Sequence, residues 1–239
     1  DAFQFCSRNK IKLFKLHTSD LGNEILIKKV SKTAKRIDLS LGSSTEKEIS
    51  NALKWIKKSC ETWLMYGYQL FPTDPKKINL RFLLYLKRKY NIRVGYQDHS
   101  PYDMSAFTIP AAAIGSGIDV IEKHVTDSNK RNGTDGQAAI EIKNYKLFVE
   151  KSMEVYSSLG VGKKIKFSKE EKKYRIYSKK IIFFNKNLKK NHILKLDDLI
   201  FLRNGQKGEM IDGYKKFLGK KIIKDVKKYQ ALKYEFFKK

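Results

Sequence analysis

Short apolar runs punctuate the first two-thirds of the chain at Lys12–His17, Arg36–Ser40, Thr62–Tyr66, Ile92–Tyr96 and Asp119–His124. Each is followed by turn residues and then by a stretch whose apolar side chains recur at helical spacing, so each reads as a strand leading into a helix. After Arg36–Ser40, the turn Gly42-Ser43-Ser44 runs into Thr45-Glu46-Lys47-Glu48, a capping box with Thr45 as N-cap and Glu48 at N3. After the fourth run, Ser100-Pro101 is expected to open a helix that continues through Ala113, with Gly115 and Gly117 marking its end. Strand–helix units recurring at intervals of about 25–30 residues imply a parallel sheet with crossover helices, either doubly wound or closed as a (β/α) barrel. A closed barrel of this class has eight units; about five are legible.

Near residue 160 the texture changes. Gly160, Gly162 and the charged run Lys169-Glu170-Glu171-Lys172-Lys173 read as a linker over 161–172. Short β-type runs follow at Tyr174–Tyr177, Ile181–Phe184, Leu199–Leu202 and Lys221–Ile223. The expected architecture is α/β: a partial (β/α)8 TIM-type barrel over 1–160, the linker, and a small β-rich domain over 173–239.

Charge changes the picture less than its size suggests. Lysine and arginine number 51 against 25 acidic residues, a net of +26, but only eight of the 51 are arginine. Residues 161–239 hold 25 basic and 8 acidic side chains. Nucleic-acid readers lean on arginine for bidentate and stacking contacts. Nucleic acid is therefore not an expected partner, and a solvated lysine-rich surface accounts for the excess. Charge-driven adhesion to acidic polymers remains the competing class. Two cysteines, Cys6 and Cys60, build no disulfide framework, no apolar run reaches membrane-spanning length and no secretory leader is visible. A cytoplasmic setting without membrane attachment is expected. The chain opens on Asp1 rather than Met and reads as part of a longer gene product.

Chemistry in parallel βα folds gathers at the C-terminal ends of the strands. His99 and His124 each close a strand and lie 25 residues apart, one βα unit. Adjacent strands stand about 5 Å apart, so the two imidazoles either share one divalent metal or each cap a strand by hydrogen bonding. Lys15, inside an apolar strand, either meets an anion or points to solvent. Ser40, Gly42, Ser43 and Ser44 lead into a helix N-terminus, which suits an anion and equally an ordinary cap. Asp135, in Asn132-Gly133-Thr134-Asp135-Gly136, and Asp20, just past Lys15, are loop carboxylates that turn chemistry also explains. Arg203 alone signifies little. No dinucleotide-binding glycine motif, P-loop or CxxC pair is present.

The order KLHTSDL, LSLGSSTEKEI, LMYGYQLFPTDPKKINL, IRVGYQDHS and VIEKHVTDSNKRNGTDG resembles the sialic acid synthase family. The tail, NLKKNHILKLDDLIFLRNGQKG followed by LGKKIIKDVKK, resembles that family's C-terminal antifreeze-like (SAF) domain, a β-clip. The resemblance covers about residues 11–239. It implies condensation of phosphoenolpyruvate with N-acetylmannosamine or a related amino-sugar, giving a nine-carbon 2-keto sugar acid and phosphate. It implies a divalent ion on His99 and His124, Mn²⁺ foremost, with Mg²⁺ or Co²⁺ as alternatives. Lys15 and Ser40 fall on phosphoenolpyruvate-binding positions, Thr18, Gln69 and Gln97 on further substrate-binding ones, and Asp20 and Asp135 on sugar-facing carboxylates that are the candidate catalytic residues. Arg203 matches an SAF arginine that reaches the partner's site in a domain-swapped homodimer. The chain departs from the family at Thr18 (serine), Leu41 (threonine), Gln69 (asparagine), Gln97 (serine) and Asn204 (proline). The matched strands are the family's fourth to eighth, so the chain is expected to be the C-terminal part of such an enzyme and, as a separate chain, to have little or no activity. The departures leave a second reading, a non-catalytic carbohydrate-binding or regulatory relative.

Overall fold

The computed structural model describes residues 2–129, 133–164 and 166–237 of the 239-residue chain. The chain divides into two compact units, Asp1–Gly162 and Lys163–Lys239.

In the first unit, α1 (Ala2–Arg8) precedes β1 (Leu13–Leu16), β2 (Arg36–Ser40), β3 (Glu61–Tyr66), β4 (Arg93–Asp98) and β5 (Val120–Lys123), which pair in parallel in chain order. The crossovers are α2 (Glu24–Ser31), α3 (Glu46–Trp55), α4 (Leu80–Tyr90) and α5 (Ser105–Gly115). A short parallel pair, β6 (Val125–Thr126) and β7 (Ile140–Glu141), leads into α6 (Ile142–Ser158). All five expected strands are present, β2 with its expected bounds. The Thr45 capping box starts α3: the Glu48 N–H donates to the Thr45 hydroxyl at 3.3 Å and the Thr45 N–H to the Glu48 carboxylate at 2.6 Å.

Strand alternation sorts the side chains. Ile37, Leu39, Leu64, Val94 and Tyr96 pack with Ile27 and Val30 of α2, Ile49 and Ala52 of α3, and Leu83 and Leu86 of α4, forming the core between sheet and helices. The opposite face carries Lys15, Ser40, Gln97 and Glu122. It is concave. A flat five-stranded sheet would hold its edge strands about 19 Å apart, yet Lys15 of β1 bonds Glu122 of β5. The sheet is thus curled into the five-unit half-barrel that the sequence predicts.

Three expectations differ from the structure, the last of them in the second unit's Lys221–Ile223. The helix after β4 begins at Ser105 rather than at Ser100-Pro101. Ser100 is fully buried, with its N–H and hydroxyl committed to Asp98, and the Ser105 N–H donates instead to Asp103 at 2.7 Å. In the second unit, the charged run read as linker and the β-type run Tyr174–Tyr177 form one helix, α7 (Lys169–Ser178). Its cause is a second capping box, Ser168 with Glu171, followed by residues with good helix propensity.

The rest of the second unit pairs β8 (Ile181–Phe184) antiparallel to β9 (Leu199–Leu202), both as expected. Lys221–Ile223 contributes isolated bridges, Ile193 with Lys221 and Ile222 with Phe237, rather than a strand. Ile182, Phe184, Leu194, Phe217, Ile222 and Leu232 form its core. Beside that core the buried Asp198 carboxylate receives His192 Nε2 at 2.7 Å, the Lys195 N–H at 2.8 Å and Lys186 at 2.8 Å. Burial works against the charge, but these bonds outweigh it and bring Asp198 down to about 2. Among the described residues, no helix is long and apolar enough to cross a membrane.

Candidate active site

The ends of β4 and β5 bring the two expected histidines together. His99 and His124 each follow the last residue of their strand, and their ring centroids lie 5.3 Å apart. Phe71 seats both rings, at 4.2 Å from His99 and 5.6 Å from His124. His99 is 4 % exposed, and its Nδ1 lies 2.8 Å from the Tyr68 carbonyl oxygen. A carbonyl only accepts, so Nδ1 carries the proton and Nε2 keeps its lone pair. Burial also lowers the His99 pKa, which favours the neutral ring that a metal requires.

The pair fits a divalent ion as an open, two-nitrogen hold. Two imidazoles bound to one ion through bonds of about 2.1 Å have centroids at a spacing close to the one seen. Fixing one ring nitrogen on a carbonyl is the usual support for a metal-binding histidine. Among the described residues, no group of three or more histidines, cysteines and carboxylates forms a closed cage. The remaining coordination positions would belong to water or substrate oxygens.

Lower on the same concave face a polar chain crosses the half-barrel. Lys15 Nζ donates to both Glu122 oxygens, at 2.5 and 2.6 Å. The Gln97 side-chain Nε2 donates to Glu122 at 3.2 Å, and the Ser40 hydroxyl donates to the Gln97 side-chain Oε1 at 2.9 Å. Burial pushes the Glu122 carboxyl up, but the hydrogen bonds from Lys15 and Gln97 outweigh it and leave it below its ordinary value. Gln97 has a tight seat: a Cβ on Gly67 would lie 2.2 Å from the Gln97 backbone oxygen.

Thr18 and Gln69 line the neighbouring loops. The Thr18 hydroxyl donates to the Gly42 carbonyl and meets Ser44 Oγ at 3.1 Å. Gln69 lies against Gly42, where a Cβ would fall 2.2 Å from its amide nitrogen. Among the described residues, hydrogen bonds tie neither Asp20 nor Asp135 to the histidines or to the Lys15 chain. Asp20 accepts from Asn23 at 3.0 Å. Asp135 heads the turn Gly136–Ala138 in a left-handed conformation, φ 61°. Residues 130–132 of its loop, Asn132 included, lie outside the described residues. Arg203 belongs to the second unit, just past β9, and is exposed.

Sequence reasoning passed over Glu122, Phe71 and the pair Asp98–Lys123. Glu122 was within reach: it stands two residues before His124, and alternation therefore puts it on the same face.

A profile of the NeuB family matches residues 1–164. The chain is 29 % identical over 227 residues to the N,N'-diacetyllegionaminic acid synthase of Campylobacter jejuni, covering 93 % of this chain and 66 % of that protein. The crystal structure of a Chromobacterium violaceum protein assigned to spore coat polysaccharide biosynthesis aligns with a TM-score of 0.81 at 14 % identity, over 99 % of this chain and 70 % of that one. That likeness is one of fold. The N-acetylneuraminic acid (sialic acid) synthetase of Leptospira borgpetersenii serovar Hardjo-bovis aligns with a TM-score of 0.61 at 28 % identity, over 69 % of this chain and 57 % of that one. The chain spans about three-fifths of the length of the curated relatives it matches.

Proposed function

The chain belongs to the NeuB family, and we propose that it serves the condensation of phosphoenolpyruvate with N-acetylmannosamine or a related amino-sugar, giving a nine-carbon 2-keto sugar acid and phosphate. The observation that carries this is the concave face itself: a histidine pair at the strand ends, with a lysine, a serine and a carboxylate joined beneath it. Relatives named as synthases of legionaminic and pseudaminic acids support the reaction class.

In this reading His99 and His124 hold a divalent ion, Mn²⁺ foremost, with Mg²⁺ or Co²⁺ able to replace it. When bound, such an ion polarises the aldehyde oxygen of the open-chain sugar. Lys15 supplies positive charge to phosphoenolpyruvate, and Ser40, Thr18, Gln69 and Gln97 supply hydrogen bonds around it. Asp20 and Asp135 address the sugar hydroxyls. The second unit serves as an SAF β-clip whose Arg203 reaches a partner's site in a domain-swapped homodimer, and the enzyme works in the cytoplasm.

The test is to supply the protein with Mn²⁺, phosphoenolpyruvate and a panel of 2-acetamido sugars, measuring phosphate and the 2-keto acid product. In a barrel completed with the three strands the family carries before these five, phosphate release that requires one of the sugars is expected. The 239-residue chain alone is expected to show little or none. Enzyme-like, sugar-dependent release from the chain alone, or release from the completed barrel that is independent of sugar or absent with every sugar, contradicts the proposal. The second reading, a non-catalytic carbohydrate-binding relative, draws on Gln97, whose side chain already satisfies both Ser40 and Glu122. It predicts sugar binding without phosphate release.

A further inference from the structure

On the far side of β4 and β5 from the histidines lies a buried ion pair. Asp98 and Lys123 are register partners at the last position of their strands, each immediately before a histidine. Lys123 Nζ lies 2.8 Å from the Asp98 carboxylate, with side-chain exposures of 2 % and 0 %. The carboxylate also accepts from Tyr96 Oη at 3.0 Å, the Ser100 N–H at 2.9 Å and Ser100 Oγ at 3.0 Å. Lys123 donates in addition to the Ser100 carbonyl at 3.2 Å.

Charges this deep are costly to desolvate, and apolar side chains of similar volume commonly hold a fold as well or better. Stability alone therefore gives little reason for the pair. What an apolar pair lacks is direction. The hydrogen bonds join the two strand ends where the backbone ladder stops and fix the path of the chain through Ser100. The next residue on each strand turns to the concave face, and on both strands it is a histidine. We infer that the Asp98–Lys123 pair is a positioning device that sets the separation and orientation of the His99 and His124 rings. Its link to metal binding rests on the proposed role of those rings.

The test compares the wild-type chain with the double variant Asp98→Leu/Lys123→Met and with Lys123→Arg. Thermal unfolding, Mn²⁺ affinity by EPR and ¹H–¹⁵N spectra of the histidine rings without metal are measured. The double variant is expected to stay folded, to lose about 10- to 100-fold in Mn²⁺ affinity, and to shift the His99 and His124 ring signals while those of His17 and His192 stay in place. Lys123→Arg, which keeps the charge and the donors, is expected to retain most of the affinity. Unmoved His99 and His124 signals in the double variant overturn the inference. So does a double variant that fails to fold, which would assign the pair to stability. A wild-type chain that binds no Mn²⁺, with ring signals that still shift in the double variant, refutes the metal role and upholds the positioning.

Discussion

Lys15 and Glu122 sit on β1 and β5, the two edges of the parallel sheet, and still form an ion pair at 2.5 Å. Curling brings them together across the concave face, and Gln97 and Ser40 extend the contact to β4 and β2. The cation that would receive an anionic substrate is thus balanced by a carboxylate in the free protein. Both side chains are 36 % exposed, so the pair contributes at most about 1 kcal/mol to stability. Its weight falls on binding.

Lys15→Met is therefore expected to lower phosphoenolpyruvate affinity more than tenfold, while the unfolding midpoint moves by only a few degrees. Isothermal titration beside thermal denaturation checks both. An unchanged affinity would remove Lys15 from the site.

Gly67 is held to glycine by Gln97. A methyl group there meets the Gln97 backbone oxygen and Cβ, and backbone cannot swing aside as a flexible side chain can. Gly67→Ala is expected to cost about 1–3 kcal/mol in urea denaturation. Gly115→Ala, where an added Cβ meets nothing within 4 Å, is the control and should be neutral or slightly stabilising.

Asp198 makes the second unit acid-sensitive. A carboxyl held below its unfolded value stabilises the fold above that value and loses the contribution as pH falls through the folded one. The window here runs from 3.8 down to about 2. Asp198→Asn is expected to cost on the order of 2 kcal/mol at neutral pH and to flatten the stability–pH curve below about pH 4. Denaturant melts at pH 7, 4 and 2.5 test this. An equally steep acid limb in the variant would contradict it.

Much of this was legible because the signals were local. The five strands announce themselves by short apolar runs between turns, and the Thr45 cap lies within four residues. The histidine pair follows from a spacing of one βα unit. What escaped depended on partners far away or on competition for one residue. Glu122 looks like an ordinary surface carboxylate until Lys15, 107 residues earlier, is seen beside it. Ser100-Pro101 looks like a helix start, but the buried Asp98 claims the serine. Tyr174–Tyr177 has the composition of a strand, and the Ser168–Glu171 cap upstream overrides it.

The proposed function places one divalent ion between His99 and His124 at the mouth of the half-barrel. The most direct measurement is an EPR titration of Mn²⁺ into the wild-type chain, His99→Ala and His124→Ala. One bound ion per wild-type chain is predicted, with affinity reduced at least tenfold in each variant. Equal titration curves for all three proteins would contradict it.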